Sequence, residues 1–151
     1  MLKGIDRRLS ADVLHCLRAM GHGDMLILAD SNYPALATAK DTVLGRPLSM
    51  DNLSVADAAE AILSVMPLDT FVDDFAARMA VVDAPEEIPP VQEEVQRVID
   101  KAEGTHRPMP SVDRFAFYDL ARQAFAIIQT GEPRLYGCFM LRKGVIPPEE
   151  A

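Results

Sequence analysis

The stretch Gly21-His22-Gly23-Asp24 combines residue types that proton transfer needs. His22 can exchange a proton near neutral pH, and the flanking glycines allow a tight turn and the close approach of a ligand. The apolar run Met25–Ala29 follows and ends at a second carboxylate, Asp30. Because ligands in open α/β sheets lie near strand ends, this pattern predicts acid–base chemistry beside a buried strand. The alternative is that Gly-His-Gly only ends the preceding helix.

The other polar candidates also stand at the ends of predicted elements. Together they are His22, Asp24, Asp30, Arg114, Tyr118 and Tyr136. The chain has no Walker loop, GxGxxG, GxSxG or HExxH motif. His22, Asp24 and Asp30 are residue types that can bind a metal, but their spacing does not predict the ligand geometry that a metal needs. A guanidinium, carboxylates and phenols suit a small polyhydroxylated ligand better than a phosphate or a nucleobase.

Composition limits the classes of protein and partner. With 151 residues, 49% hydrophobic and 25% charged, the chain is predicted to form a single domain over residues 1–151. Its net charge of -8 argues against nucleic acid or an anionic membrane surface as a partner. No apolar run approaches membrane-spanning length, and residues 1–5 lack the apolar core of a signal peptide. Cys16 and Cys138 form no CxxC motif, which fits a reducing cytoplasm.

Helical and strand-like segments alternate along the chain. Apolar spacing predicts helices over 9–20, 54–66, 91–102 and from Arg114 onward, with Ser10, Ser54 and either Ser111 or Asp113 as N-caps. Short apolar runs predict strands over 25–29, 42–44, 78–82, 125–128 and 137–141. This alternation predicts the α/β class, as a three-layer α/β/α sandwich with a central, mostly parallel sheet.

A series of short segments carries a family resemblance. They are Met1-Leu2-Lys3-Gly4-Ile5, Met20-Gly21-His22-Gly23-Asp24, Asp30 with Pro34, Arg114-Phe115-Ala116-Phe117-Tyr118, Ala124-Phe125-Ala126-Ile127, Thr130-Gly131-Glu132, Tyr136-Gly137 and Arg142-Lys143-Gly144-Val145. In this order they resemble the fucose mutarotase / ribose pyranase family over nearly the whole chain. Gly23 and Arg114 resemble the fucose branch, since the ribose branch tends to carry Thr and His there. The resemblance implies a cytoplasmic isomerase that interconverts α and β anomers of a monosaccharide.

The resemblance also implies roles for particular residues. His22 matches the proton donor of the family, and Asp30, Arg114 and Tyr136-Gly137-Cys138 match its sugar-binding positions. Tyr136, ahead of Tyr118, is the candidate to assist at the anomeric oxygen. Asp24 or Asp30 is expected to orient the imidazole, although Asp30 can equally accept a sugar hydroxyl. Ring opening and closure need only a proton donor and acceptor, so no cofactor and no metal are expected.

Three residues depart from the family pattern. Cys138 stands where Asn is usual, Asn32 where fucose enzymes often have His, and Tyr33 where they often have Phe. A thiol is a poorer hydrogen-bonding group than an amide, so one sugar hydroxyl is expected to lose a partner. The expected substrate is therefore L-fucose or a related sugar. The alternatives are ring-form isomerisation of ribose and, in another class, a non-catalytic sugar-binding accessory of a transport operon.

The resemblance further implies assembly. Members of the family form dimers or ring-shaped decamers, and a neighbouring subunit completes the site. Phe71, Phe75 and Phe139 are the candidates for burial in such an interface.

Overall fold

The computed structural model describes residues 2–149, so Met1, Glu150 and Ala151 of the predicted domain lie outside the described residues. Within that range the chain forms six strands, five α-helices and one 3-10 helix. The strands are β1 (Met25–Ala29), β2 (Leu48–Met50), β3 (Ala76–Met79), β4 (Ser111–Val112), β5 (Ala126–Thr130) and β6 (Phe139–Arg142). The α-helices are α1 (Ala11–Ala19), α2 (Ala35–Thr38), α3 (Val55–Leu63), α4 (Pro90–Glu103) and α5 (Arg114–Arg122), and the 3-10 helix is Ala39–Asp41. None of the helices in residues 2–149 is long and apolar enough to cross a membrane.

The strands form one sheet in the order β2-β5-β1-β6-β3-β4. Only β6, among the strands of the described range, runs antiparallel to its neighbours, β1 and β3. The pairs β1–β5, β2–β5 and β3–β4 are parallel, which confirms the predicted mostly parallel sheet. β1 lies between β5 and β6, and this position explains its uninterrupted apolar sequence, since a strand covered on both faces has no polar side.

Helices cover both faces of the sheet. On β1, Leu26 and Leu28 point into a core shared with α1, α3 and α4. Ile27 and Ala29 point into a second core shared with α2 and α5. Alternate residues of a strand face opposite sides of a sheet, so the two cores make the three-layer α/β/α sandwich that was predicted.

The predicted helix starts are confirmed by their caps. The Oγ of Ser10 accepts the Val13 N–H at 3.3 Å, and the Oγ of Ser54 accepts the Asp57 N–H at 3.1 Å. Of the two candidates for α5, the cap is Asp113, whose carboxylate accepts the Phe115 N–H at 2.9 Å. Capping is local chemistry between residues two or three positions apart, which is why sequence alone locates it.

Two predicted strands are wrong in position. Residues 42–44 form a bend, although Val43 and Leu44 donate N–H groups to carbonyls just before β5, and the strand of this region is β2. The strand predicted over 78–82 is Ala76–Met79. It ends there because the chain turns back on itself, with Val81 bridging to Ala84 and Asp83 at a φ of 61°.

Gly131 follows β5 where the backbone packs against the loop after β2. A Cβ on Gly131 would lie 2.0 Å from the carbonyl oxygen of Asp51, whereas one on Gly21 would meet nothing closer than 3.7 Å. We expect Gly131→Ala to lower the free energy of unfolding by at least about 2–3 kcal/mol, because the backbone must move apart. Gly21→Ala, the matched control, is expected to stay within about 0.5 kcal/mol of the starting protein. Urea unfolding measures both, and equal stability of the two variants would contradict the close approach.

Candidate active site

A cavity lies at the edge of the sheet where β1 and β3 end and β6 begins. These ends meet because β6 is antiparallel to both neighbours. The cavity measures about 160 Å³, well below the roughly 300–1,000 Å³ of pockets for drug-sized ligands. It is lined by Asp30, Asn32, Tyr33, Met79, Arg114, Tyr118, Leu135, Tyr136 and Cys138. The mixture of one carboxylate, one guanidinium, phenols and apolar groups suits a small ligand with several hydroxyls.

The carboxylate of Asp30 ties together the loops around the cavity. Its side chain follows β1 and the residue is only 5% exposed. One oxygen, Oδ1, accepts the N–H of Asn32 at 2.9 Å. The other, Oδ2, accepts the N–H of Gly137 at 3.2 Å and the thiol of Cys138 at 3.4 Å. A carboxylate has room for about four donors, so Asp30 still has acceptor capacity for a ligand hydroxyl.

Cys138 contributes a neutral thiol to the cavity. Burial raises the pKa of the Cys138 thiol well above its usual value, and the nearby negative charge of Asp30 adds to this. The sulfur therefore keeps its proton, and the S–H group donates a hydrogen bond to Asp30. Cys138 thus lacks the thiolate form that a nucleophilic cysteine needs.

Tyr136 is held in an uncommon backbone conformation. Its φ of 63° lies in the left-handed region, which costs a residue with a side chain about 1–3 kcal/mol. Its phenol oxygen accepts the N–H of Val82 at 3.3 Å. An oxygen that accepts from the backbone keeps its own O–H available for a ligand. Strained residues persist where the surroundings over-determine them, and they cluster in functional sites.

The first two turns of α5 place two further polar side chains at the cavity. Arg114 and Tyr118 are four residues apart, so they lie on the same side of the helix. The guanidinium carbon is 5.9 Å from the centre of the Tyr118 ring, and the neighbouring Tyr118 phenol raises the pKa of Arg114. Tyr118 in turn stacks on Tyr33 at 5.2 Å between ring centroids. Arg114 is thus a permanently charged donor at the mouth of the cavity.

His22 lies at the other end of β1. It belongs to the loop between α1 and β1, whereas Asp30 follows the last residue of that strand. Five strand residues span about 17 Å, so His22 and the cavity of the same chain are far apart. The structure therefore brings Asp30, Arg114 and the segment 136–138 together, and it leaves His22 outside that group.

Asp69 is the partner of His22. Its Oδ2 lies 3.0 Å from His22 Nε2, and its Oδ1 accepts the N–H of Phe71 at 3.0 Å. This backbone bond and, after it, the contact with His22 hold the pKa of Asp69 below its ordinary value, although burial opposes them. A carboxylate bonded to one imidazole nitrogen fixes the tautomer and the orientation of the ring. Asp69, and neither Asp24 nor Asp30, performs the orienting role predicted from the sequence.

The sequence carried no signal for Asp69. It is separated from His22 by 47 positions, and it occupies a loop without a recognisable motif. Asp24 instead accepts the N–H of Gly21 at 2.7 Å and shapes the local turn. Within residues 2–149, no group of three or more His, Cys, Asp or Glu side chains is arranged to hold a metal ion.

Phe71 exposes an aromatic ring beside His22. Its side chain meets the imidazole edge-on at 5.7 Å, and the residue is 72% exposed. The other two interface candidates predicted from the sequence, Phe75 and Phe139, are buried in the core of their own chain. They fill space between sheet and helices, so that part of the prediction is wrong.

The fold and the cavity define an α/β protein with a small-ligand site at the edge of its sheet. Residues 3–146 match the model of the RbsD / FucU transport protein family. This match covers most of the chain, and the chain belongs to that family.

Named relatives and solved structures agree with this assignment. The chain is 39% identical to the fucose mutarotase of Danio rerio, over 99% of this chain and 97% of that protein. Protein Atu2016, which has a crystal structure, is 56% identical in sequence to this chain, and the two structures match with a TM-score of 0.95 over 97% of each chain. The fucose mutarotase of Streptococcus pneumoniae, solved in complex with L-fucose, is 34% identical, with a TM-score of 0.84 over 96% of this chain and 99% of that one.

The His22–Asp69 contact predicts how stability depends on pH. Because the pKa of Asp69 is lowered in the folded state, its carboxylate stabilises the fold above the unfolded pKa of about 4. That contribution is lost as the pH falls through the lower folded pKa. We expect the stability difference between the protein and Asp69→Asn to shrink as the pH falls below about 4. Urea unfolding between about pH 3 and 7 measures it, and a difference independent of pH would contradict the lowered pKa of Asp69.

Proposed function

We propose that this protein is a mutarotase that interconverts the α and β anomers of L-fucose or a related sugar. The observation that carries the proposal is the cavity, where Asp30, Arg114 and Tyr136 converge on a space for one small ligand. Membership of the RbsD / FucU family and relatives named fucose mutarotase support the same activity. The family match also supports one mutarotase-like domain over residues 1–151.

The cavity supplies the contacts that a sugar needs. Arg114 donates to sugar oxygens without giving its proton away, because a guanidinium stays charged. Asp30 accepts one hydroxyl on its remaining lone pair, and the Gly137 and Cys138 segment forms the wall bonded to it. The neutral thiol of Cys138 offers only weak hydrogen bonds. This wall therefore binds a sugar hydroxyl less strongly than a wall with an amide side chain would.

Mutarotation needs two proton transfers on the sugar. Opening the ring delivers a proton to the ring oxygen and removes one from the anomeric hydroxyl, and closing on the other face reverses both. Tyr136 holds an O–H inside the cavity and assists at the anomeric oxygen. His22 exchanges the second proton, with Asp69 holding its imidazole in position. General acid–base catalysis of this kind contributes about 10²–10⁴-fold to the rate.

A second copy of the chain must bring His22 to the cavity. His22 and the exposed Phe71 lie at one end of the sheet, whereas Leu135 (67% exposed) and Phe115 (73% exposed) flank the cavity at the other. Exposed aromatic and aliphatic side chains at both places are typical of a protein interface. Contact between two different surfaces is head-to-tail, and head-to-tail contacts that close produce rings. We infer a homo-oligomer in which each site combines two neighbouring chains.

We place this activity in the cytoplasm. Cys16 and Cys138 are both buried as free thiols, on opposite faces of the sheet. Reduced cysteines suit a reducing compartment.

Saturation-transfer NMR between the anomeric protons of L-fucose tests the catalytic role of His22. We expect the protein to accelerate exchange and His22→Gln to lower the catalysed rate by about 10²-fold or more, because glutamine keeps a hydrogen bond but exchanges no proton. The affinity for the sugar should change little. His106→Gln is the matched control, because His106 is also paired with an aspartate, Asp100 at 2.6 Å, but does not line the cavity, and it should leave the rate unchanged.

The same experiment separates the alternatives. Exchange among ring forms of ribose, with none for fucose, would place the protein in the ribose branch. Sugar binding without accelerated exchange, with the same affinity in His22→Gln, would indicate a non-catalytic sugar-binding accessory.

Mixing two inactive variants tests the shared site. Arg114→Met damages the cavity and His22→Ala removes the proton donor, so each variant alone should be inactive. When both are unfolded together at equal amounts and refolded, random assembly should restore about one quarter of the activity, since one interface in four pairs an intact cavity with an intact histidine. Absence of any restored activity would contradict a site built from two chains.

A further inference from the structure

We propose that Gln92 is a positioning residue that fixes the conformation of Tyr136 and thereby keeps its phenol in the cavity. Gln92 lies in the first turns of α4, is fully buried and does not line the cavity. Its effect on catalysis rests on the proposed function, whereas its effect on Tyr136 does not.

The peptide unit between Tyr136 and Gly137 is bonded at both ends. Its carbonyl oxygen accepts the side-chain amide of Gln92 at 3.0 Å. Its N–H donates to Asp30 Oδ2 at 3.2 Å. Two buried side chains on opposite sides thus fix the plane of this peptide. The plane sets ψ of Tyr136, a residue already held at a left-handed φ of 63°.

The orientation of the Gln92 amide is itself determined. Its Nε2 also donates to the carbonyl oxygen of Met79 at 2.7 Å, so one amide group joins the end of β3 to the segment before β6. Its Oε1 accepts from Arg78 Nη1 at 3.0 Å. Arg78 is buried as well and donates to the carbonyls of Glu87 and Pro85, both at 3.1 Å. A cation on one side and two carbonyls on the other leave only one orientation for the amide.

Loss of the Gln92 donor removes one of the two constraints on the peptide. A left-handed tyrosine relaxes towards extended backbone when its surroundings no longer over-determine it. Such a change turns the side chain and separates the phenol from the N–H of Val82, with which it bonds at 3.3 Å. Gln92 acts through Tyr136 and makes no contact with the ligand.

The test compares Gln92→Met with Gln96→Met, one turn further along α4. Gln96 makes the same kinds of bond, because its Nε2 donates to Asp100 and to the Arg107 carbonyl, each at 2.7 Å, and its Oε1 accepts the Met109 N–H at 2.9 Å. Its partners lie away from the cavity. Each variant therefore loses three side-chain hydrogen bonds, although Gln96 is only partly buried, and the two differ in their relation to Tyr136.

Tyrosine ring signals provide a readout that is independent of activity. The chain has three tyrosines, so ¹³C-labelled tyrosine gives a spectrum that Tyr→Phe variants assign. We expect Gln92→Met to shift or broaden the Tyr136 signal and Gln96→Met to leave it in place. An unchanged Tyr136 signal in Gln92→Met would overturn the proposal. If that variant does not fold, Gln92→Glu keeps an acceptor for Arg78, removes the amide donor and gives the same test.

Kinetics provide the second readout. We expect Gln92→Met to lower the catalysed exchange of L-fucose at saturating sugar by about 10–100-fold, as a misplaced catalytic group does. In a Tyr136→Phe background the same substitution should cost less than about twofold, because its effect passes through the phenol. The effect of Gln96→Met should be the same in both backgrounds. Equal losses from Gln92→Met in both backgrounds would overturn the proposal. If no sugar exchanges faster with the unmodified protein, the proposed function fails, and the ring signals still decide the role of Gln92.

Discussion

A carboxylate buried at the end of a strand must be satisfied by donors from the protein, and Asp30 is such a carboxylate. Its three donors come from the loop after β1 and from the segment before β6. The two segments are therefore drawn together, and Gly137 lies so close that a Cβ would be 3.2 Å from Asp30 Cβ. The left-handed Tyr136 immediately before it follows from the same constraint. Asp30 thus joins two of the chain segments that line the cavity.

A second buried carboxylate supports the segment from its other side. Glu132 is 1% exposed and is paired with Arg134, which also makes two bonds of 2.7–2.8 Å to Glu94 on α4. The guanidinium of Arg134 lowers the pKa of Glu132 against the effect of burial. Together with Gln92, these contacts attach the loop that carries Leu135 and Tyr136 to α4. The loop before β6 is thus held between β1 and a helix, which suits a site that must keep its groups fixed.

The length of β1 separates His22, at one end of the sheet, from the cavity at the other end. A strand of five residues is rigid and about 17 Å long, so no local rearrangement brings His22 to the cavity of its own chain. Under the proposed function, catalysis depends on assembly, because each complete site requires two copies of the chain. Under the same proposal, His22, which is paired with Asp69, is the catalytic group at that end of the molecule, and the exposed ring of Phe71 belongs to the contact surface.

The sequence by itself determined what depends on near neighbours along the chain. The caps at Ser10 and Ser54, the buried β1 and the α/β class follow from spacing and side-chain chemistry over a few positions. The family motifs pointed to Asp30, Arg114, Tyr136 and Cys138, which line the cavity. The tertiary structure alone decided which residues meet across long separations. It paired His22 with Asp69, separated His22 from Asp30, buried Phe75 and Phe139, and joined Gln92 to Tyr136. These contacts depend on strand order and direction, which side-chain periodicity does not encode.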